Sequence, residues 1–328
     1  MKARFYTTRE DKKIQCNLCP NNCLISPGKT GVCKVRLNEN DELVLPYFGK
    51  LAAVALDPIE KKPLYHFYPG TSILSIGFVG CSFHCPFCQN YHISQSTYAS
   101  TEFIDPQALV ELAERKRSFA IAYTYSEPLI HLEYVLEAAR IARDKGIKNV
   151  LVSNGYINPQ PAEELLNILD AANIDLKCFT EDFYRKEIGG KLEEVKRFIT
   201  QAAGKIELEV TTLVIPGKND SREEIAEIAR FLAGLDPAIP YHLSCYYPTY
   251  KYTIPATPPQ TVITLAEQAR QYLKYVYVGN VGFYETNTIC PSCGNTLIER
   301  RGYAVAFPGV ENGSCRQCGE KINIPGLP

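Results

Sequence analysis

The chain has no stretch of about 18 consecutive apolar residues, so no bilayer-crossing helix is expected. Its opening run, Met-Lys-Ala-Arg-Phe-Tyr-Thr-Thr-Arg-Glu-Asp, lacks the apolar core of a signal peptide. An excess of either charge is also missing, since 35 lysines and arginines face 36 aspartates and glutamates. That balance offers nothing global to nucleic acid or to an anionic membrane, and Arg300-Arg301 is too short for a basic patch. Together these absences point to the cytoplasm, where thiols stay reduced. The length of 328 residues and a hydrophobic content of 45% suit one large globular domain or two smaller ones.

Against these absences stand 13 cysteines, nearly all of them grouped. Four lie at Cys16, Cys19, Cys23 and Cys33, three at Cys81, Cys85 and Cys88, and four at Cys290, Cys293, Cys315 and Cys318; only Cys178 and Cys245 stand apart. In a reducing compartment such clusters read as metal ligands. Closed tetrahedral sites use four ligands, while reactive sites leave one position open. The run Cys81-x3-Cys85-x2-Cys88 supplies three thiolates where a complete [4Fe–4S] site needs four. One iron would then be free to bind and activate a small molecule; a three-ligand zinc site or a structural loop is the alternative. The C-terminal quartet forms paired knuckles, Cys290-Pro-Ser-Cys293-Gly and Cys315-Arg-Gln-Cys318-Gly, with 21 residues between Cys293 and Cys315. Glycine after each pair permits the left-handed turn of a zinc ribbon. For the N-terminal quartet both zinc and an auxiliary iron–sulfur cluster are open.

From residue 72 to 280 short apolar runs alternate with amphipathic stretches. Expected strands are Ser72–Phe78, Phe119–Tyr123, Lys148–Val152, Asn173–Lys177, Ile206–Ile215 and Tyr241–Cys245, with a seventh short run at Tyr275–Val278. Asp105-Pro106 starts one helix, and Ser221 with Glu224 predicts a capping box for another, with Ile225, Ile228 and Leu232 on one face. The repeats imply a parallel sheet with right-handed crossovers. The fold class is therefore α/β: a partial (β/α)6 TIM-type barrel over residues 71–284, with an N-terminal four-cysteine metal-binding module over 1–70 and a C-terminal zinc-ribbon-like module over 285–328. An eight-unit barrel or a doubly wound sheet is the alternative. In such sheets the active site lies at the carboxyl ends of the strands, where the Cys81 loop, Glu127 and Asn154-Gly155 fall.

Phe87 stands directly before the third cysteine, and CxxxCxΦC resembles the cluster loop of radical S-adenosylmethionine (SAM) enzymes. With Asp57-Pro-Ile-Glu-Lys-Lys-Pro-Leu-Tyr-His66, Phe67-Tyr-Pro-Gly70, Gly80 through Gln95, Tyr125-Ser-Glu-Pro128, Asp175-Leu-Lys177 and both quartets, the chain is similar over nearly its full length to the pyruvate formate-lyase activating-enzyme-like group. More narrowly, it resembles the radical SAM member of the AmmeMemoRadiSam system. That resemblance implies a radical SAM barrel, a [4Fe–4S] cluster on Cys81, Cys85 and Cys88, and SAM as cofactor. It also implies AMMECR1-like and Memo-like partner proteins, and reduced flavodoxin or ferredoxin as electron donor.

The resemblance further implies SAM contacts. Glu127 matches the last residue of the family's Gly-Gly-Glu element, although Tyr125 and Ser126 replace the glycines; it would accept hydrogens from the methionine amine of SAM. A role at a helix N-terminus is the alternative. Asn154 would contact ribose and backbone, or simply form an Asn-Gly turn. Asp175 and Lys177, two apart and so on one face, would sit near SAM or pair with each other. Phe87 would place an aromatic edge near adenine, with Val214 or Pro216 opposite or, equally, in the apolar core, and His242 would reach the cavity or serve as a structural group. Cys245 is open between substrate handling, hydrogen-atom donation and packing, and Cys178 should face away from the lumen. Activating enzymes of glycyl-radical enzymes often carry aspartate where this chain has Val152, which weighs against a cation site like theirs. The activity implied is reductive cleavage of SAM to a 5′-deoxyadenosyl radical that abstracts hydrogen from a substrate. Installing a glycyl radical on another enzyme is the alternative, and a zinc-ribbon binding protein with an iron–sulfur relay a remote one.

Overall fold

A computed structural model of the protein describes residues 1–96, 98–282 and 286–328. Seven apolar runs form parallel strands: β1 (Ser72–Gly77), β2 (Ala120–Thr124), β3 (Lys148–Ser153), β4 (Ala171–Asp175), β5 (Glu207–Val214), β6 (Tyr241–Cys245) and β7 (Val276–Gly279). They pair in chain order, Leu74 opposite Ile121, Val150 opposite Ala171, and Tyr241 opposite Val276. Helices α1 (Pro106–Arg115), α2 (Leu132–Asp144), α3 (Pro159–Leu166), α4 (Leu192–Ala202), α5 (Arg222–Leu235) and α6 (Pro259–Ala269) fill the crossovers. Among the described residues, β7 pairs on one side only, and the other margin of the sheet is an antiparallel strand, Ala53–Pro58, laid against β1. The sheet is therefore an open, partial barrel of six strand–helix units and a last strand; a closed eight-unit barrel and a doubly wound order do not occur.

Three details depart from the sequence reading. The Ala53–Pro58 strand joins the barrel sheet although it lies in the stretch assigned to the N-terminal module. The fourth strand ends at Asp175; Lys177 has left the ladder, its N–H donating to Tyr184 Oη at 3.1 Å and its carbonyl accepting from Asn219 at 2.6 Å. The capping box is half made. Ser221 accepts from the Glu224 N–H at 3.1 Å, but the Glu224 carboxylate turns to the Phe179 N–H at 2.6 Å. Asp105 caps α1 as expected, accepting from Ala108. The expected boundary between residues 284 and 285 lies outside the described residues. Among those described, no helix is long and apolar enough to cross a membrane.

The N-terminal segment is a small antiparallel sheet, Tyr6–Thr8, Ile14–Cys16 and Leu24–Ile25. It is bolted to the barrel by one buried ion pair, Arg36 to Glu133 of α2 at 2.7 Å, with side chains only 1% and 2% exposed. Arg36 also donates to the Arg4 carbonyl at 2.7 Å, and Glu133 accepts from the Arg4 N–H. The C-terminal segment is another antiparallel sheet, Thr288–Ile289, Thr296–Arg301 and Ala304–Ala306. Its Arg300, buried, reaches under the barrel to the Tyr65 carbonyl at 2.8 Å and to Thr288 at 2.8 Å. Removing one member of a buried pair strands the other charge, which costs about 3–5 kcal/mol. Arg36→Met is therefore expected to lower stability by that order in urea unfolding, with an isosteric change at solvent-exposed Arg115 as the neutral comparison.

Candidate active site

The cluster loop leaves β1 at its carboxyl end and is held by backbone bonds from several directions. Gly80 N–H donates to Ile93 at 2.9 Å, His84 N–H to Ile188 at 2.9 Å, and Lys251 N–H to the Pro86 carbonyl at 2.9 Å. Gly80 adopts a φ of +82°, and a Cβ there would lie 2.5 Å from the Cys33 carbonyl oxygen. Glycine is required at this point because another piece of backbone occupies the space. Around the sulfurs, Phe83 N–H donates to Cys81 Sγ at 3.4 Å, Ser94 Oγ lies 3.1 Å from Cys88 Sγ, and Asn154 Nδ2 lies 3.8 Å from Cys81 Sγ. Burial pushes the Cys85 thiol up to about 12, with the nearby Lys177 charge opposing it.

These three cysteines line a cavity of about 890 Å³ at the carboxyl ends of the strands, together with Phe87, Glu127, Asn154, Asp175 and Lys177. Its size is that of a small-molecule site, about 300–1,000 Å³. Glu127, directly beyond β2, is 1% exposed and holds three donors. Leu129 N–H and Ser153 Oγ serve one oxygen at 3.0 and 2.7 Å, and Asn154 N–H serves the other at 3.0 Å. Burial nevertheless pushes its carboxyl up to about 7, against those three bonds. Asn154 turns its amide to Ser82 Oγ at 3.1 Å, so β3 and the cluster loop are joined side chain to side chain. Asp175 and Lys177 pair at 2.9 Å on the cavity wall. Burial alone would lower Lys177, but the Asp175 carboxylate, with Cys85 once it is a thiolate, outweighs it and holds the ammonium charged.

Other expected residues lie elsewhere. His242 sits in the amino-terminal part of β6, bonded to Glu209 at 2.5 Å and stacked on Tyr277, behind the cavity rather than on its wall. Leu213, not Val214 or Pro216, lines the cavity from β5, because alternation along the strand turns Val214 into the core. Ser244 rather than Cys245 faces it from β6, and Cys245 is fully buried in the core. Cys178 is buried too, beside the Thr180 carbonyl. The sequence reading gave no role to Asp57, Lys62 and Tyr125, which form one network on the cavity rim. Lys62 donates to Asp57 at 2.6 Å and lies 4.5 Å over the Tyr125 ring, while the Tyr125 hydroxyl also donates to Asp57. The close grouping of Asp57, Lys61 and Lys62 in sequence was the available signal.

Three thiolates on one loop, opening onto a polar cavity with an ammonium–carboxylate pair, are the donor set that a [4Fe–4S] cluster with one unligated iron requires. The C-terminal quartet is different. All four of its sulfurs lie within 4.8 Å of one another, and the Cys290–Cys318 and Cys293–Cys315 separations are both 3.7 Å. That equals the edge of a tetrahedron around an ion with bonds of about 2.3 Å, the zinc–thiolate length, so this group can hold a metal ion.

The fold and the loop define the class: residues 75–232 match the Radical SAM superfamily, and the chain is an enzyme of the radical SAM type. It belongs to one family with the uncharacterized protein MJ0808 of Methanocaldococcus jannaschii, to which it is 40% identical across 98% of both chains. It is 28% identical to the putative glycyl-radical enzyme activating enzyme MJ1227 of the same organism, over 52% of this chain and 72% of that one. The crystal structure of a radical SAM methyltransferase from Sphaerobacter thermophilus shares the fold, with a TM-score of 0.51 at 18% identity over 66% of this chain and 68% of that one. Gly80→Ala is expected to cost about 1–3 kcal/mol from backbone strain, with more from the clash with Cys33, and to lower iron uptake on reconstitution. Gly217→Ala, at a φ of +70° with open space around it, should show the strain without the clash. Melting temperature and iron content of the two variants give the comparison.

Proposed function

We propose that this enzyme cleaves SAM reductively and uses the resulting radical to take hydrogen from a substrate. The observation that carries the reading is the single cavity shared by Cys81, Cys85, Cys88, Glu127, Asn154 and the Asp175–Lys177 pair. When bound, a [4Fe–4S] cluster would supply the one-electron reduction of the SAM sulfonium that this chemistry requires. The chain's own part is to hold and orient. Cys81, Cys85 and Cys88 would hold the cluster, and three thiolates would leave one coordination position for SAM. Glu127, when ionised, accepts from the SAM amine, and its bonds to Ser153 and Asn154 tie the end of β2 to the end of β3, which Asn154 joins to the cluster loop. Lys177, fixed by Asp175, places a cation beside the Cys85 thiolate. Phe87 and Leu213 offer apolar surface for adenine.

The finer reading is that the enzyme acts with AMMECR1-like and Memo-like proteins, receives electrons from reduced flavodoxin or ferredoxin, and carries zinc on its C-terminal quartet. Val152 in place of an aspartate, and cysteine quartets on both flanks of the barrel, support this over the activation of a glycyl-radical enzyme. The name of the MJ1227 relative favours the second reading. Genes for the two partner types beside this one, without a glycyl-radical enzyme, would decide for the first.

Anaerobic reconstitution, reduction with dithionite and addition of SAM should yield 5′-deoxyadenosine from the intact protein and background amounts from Cys88→Ala. Equal yields from both would overturn the reading. A second expectation follows from Glu127, whose carboxyl titrates at about 7. Below that pH it is protonated and loses its acceptor, so SAM affinity should fall by up to about tenfold per pH unit. Above it affinity should level off. Titration calorimetry on Glu127→Gln should show weaker binding with no such slope.

A further inference from the structure

The two cysteine quartets are built differently and stand in different places. The C-terminal one consists of two CxxC pairs gathered to tetrahedral separations, on a sheet that meets the barrel floor through Arg300. The N-terminal one packs three cysteines, Cys16-x2-Cys19-x3-Cys23, into the same eight-residue span as the cluster loop, with the x2 and x3 spacings reversed. Among the described residues, only the C-terminal quartet draws three or more ligand atoms within 4.8 Å of one another. No three sulfurs of the N-terminal quartet, nor those of the cluster loop, are drawn that close, so these two sets resemble each other and differ from the C-terminal one.

Val32 N–H donates to Cys23 Sγ at 3.4 Å, as a backbone amide does to a thiolate ligand. Cys16, Cys19 and Cys33 are buried, and four thiolates in such surroundings need a cationic centre to compensate them. The site also abuts the active loop on both sides of Cys81. The Cys33 carbonyl fills the space above Gly80, and Asn21, between Cys19 and Cys23, donates to the Ser82 carbonyl at 2.9 Å. The Tyr156 ring packs on Phe83 of the active loop at 4.7 Å.

We infer that the N-terminal quartet holds a second iron–sulfur cluster and relays electrons to the cluster on Cys81, Cys85 and Cys88. The relay rests on the radical SAM reading; the occupancy does not. In the step itself no bond forms or breaks. The N-terminal cluster is oxidised by one electron, the active cluster is reduced by one, and a one-electron protein donor re-reduces the first. The site would serve as the place where that donor delivers its electron.

The test uses the full chain, reconstituted anaerobically with iron and sulfide. A Cys81→Ala, Cys85→Ala, Cys88→Ala protein should keep about four irons, half of the roughly eight of the wild type, and give on reduction an electron paramagnetic resonance signal that SAM does not alter. The Cys19→Ala, Cys23→Ala protein should lose that signal and retain the SAM-responsive one. With dithionite it should still form 5′-deoxyadenosine, whereas with reduced flavodoxin its rate should fall at least tenfold. One zinc and no iron in the triple variant would overturn the occupancy. An unchanged flavodoxin-driven rate in the double variant would overturn the relay. Should the double variant fold poorly, Cys23→Ser, at the least buried ligand, supplies the same comparison. Failure of SAM cleavage in the wild type would strike the proposed function and leave the iron count to stand.

Discussion

Everything in this molecule depends on the parallel pairing of seven strands in chain order. Parallel pairing sends each strand's carboxyl end to one rim, so residues more than a hundred positions apart share one cavity without long-range design. Cys81 after β1, Glu127 after β2, Asn154 after β3 and Lys177 after β4 are successive exits from that rim. The bonds between exits, Asn154 to Ser82 and Ser153 to Glu127, then convert a shared rim into a fixed geometry. Burial energy for the sheet comes from nearly continuous apolar strands covered on their outer face by helices, as an all-parallel arrangement requires.

The price of an open barrel is two margins, and one of them is covered by another part of the chain. The antiparallel strand Ala53–Pro58 covers the backbone of β1 and brings Asp57 to the rim, where Lys62 and Tyr125 complete it. On the floor, Glu209 accepts from the Tyr65 and His66 N–H groups at 2.7 Å and from His242 at 2.5 Å. The segment from Pro58 to His66 thus runs from rim to floor, tying the two ends of the lumen together.

Most of the site was legible because its signals are local. Cysteine spacing, the apolar strand runs and the Asp105-Pro106 cap depend on neighbours in sequence, and the strands, α1 and the cavity-lining residues followed. What escaped were pairings across long separations. His242 reads as a lumen residue from its strand, but its partner Glu209 sits 33 positions earlier and draws it to the floor. Val214 and Leu213 differ by one residue, and only the register of β5 decides which faces the cavity. The Ala53–Pro58 strand has exposed Val54 and Leu56, so its pattern gives no sign of which sheet edge it joins.

Arg300 carries a consequence for the order of events during synthesis. Its guanidinium caps the Tyr65 carbonyl, 235 residues upstream, and lies over the Tyr65 ring at 4.3 Å. Chains fold from the N-terminal side as they emerge. The barrel strands are all available before Arg300 is, so in the nascent barrel the Tyr65 carbonyl lacks its Arg300 donor. The lumen is sealed from below only when the cysteine-rich segment after residue 286 has emerged and folded against it.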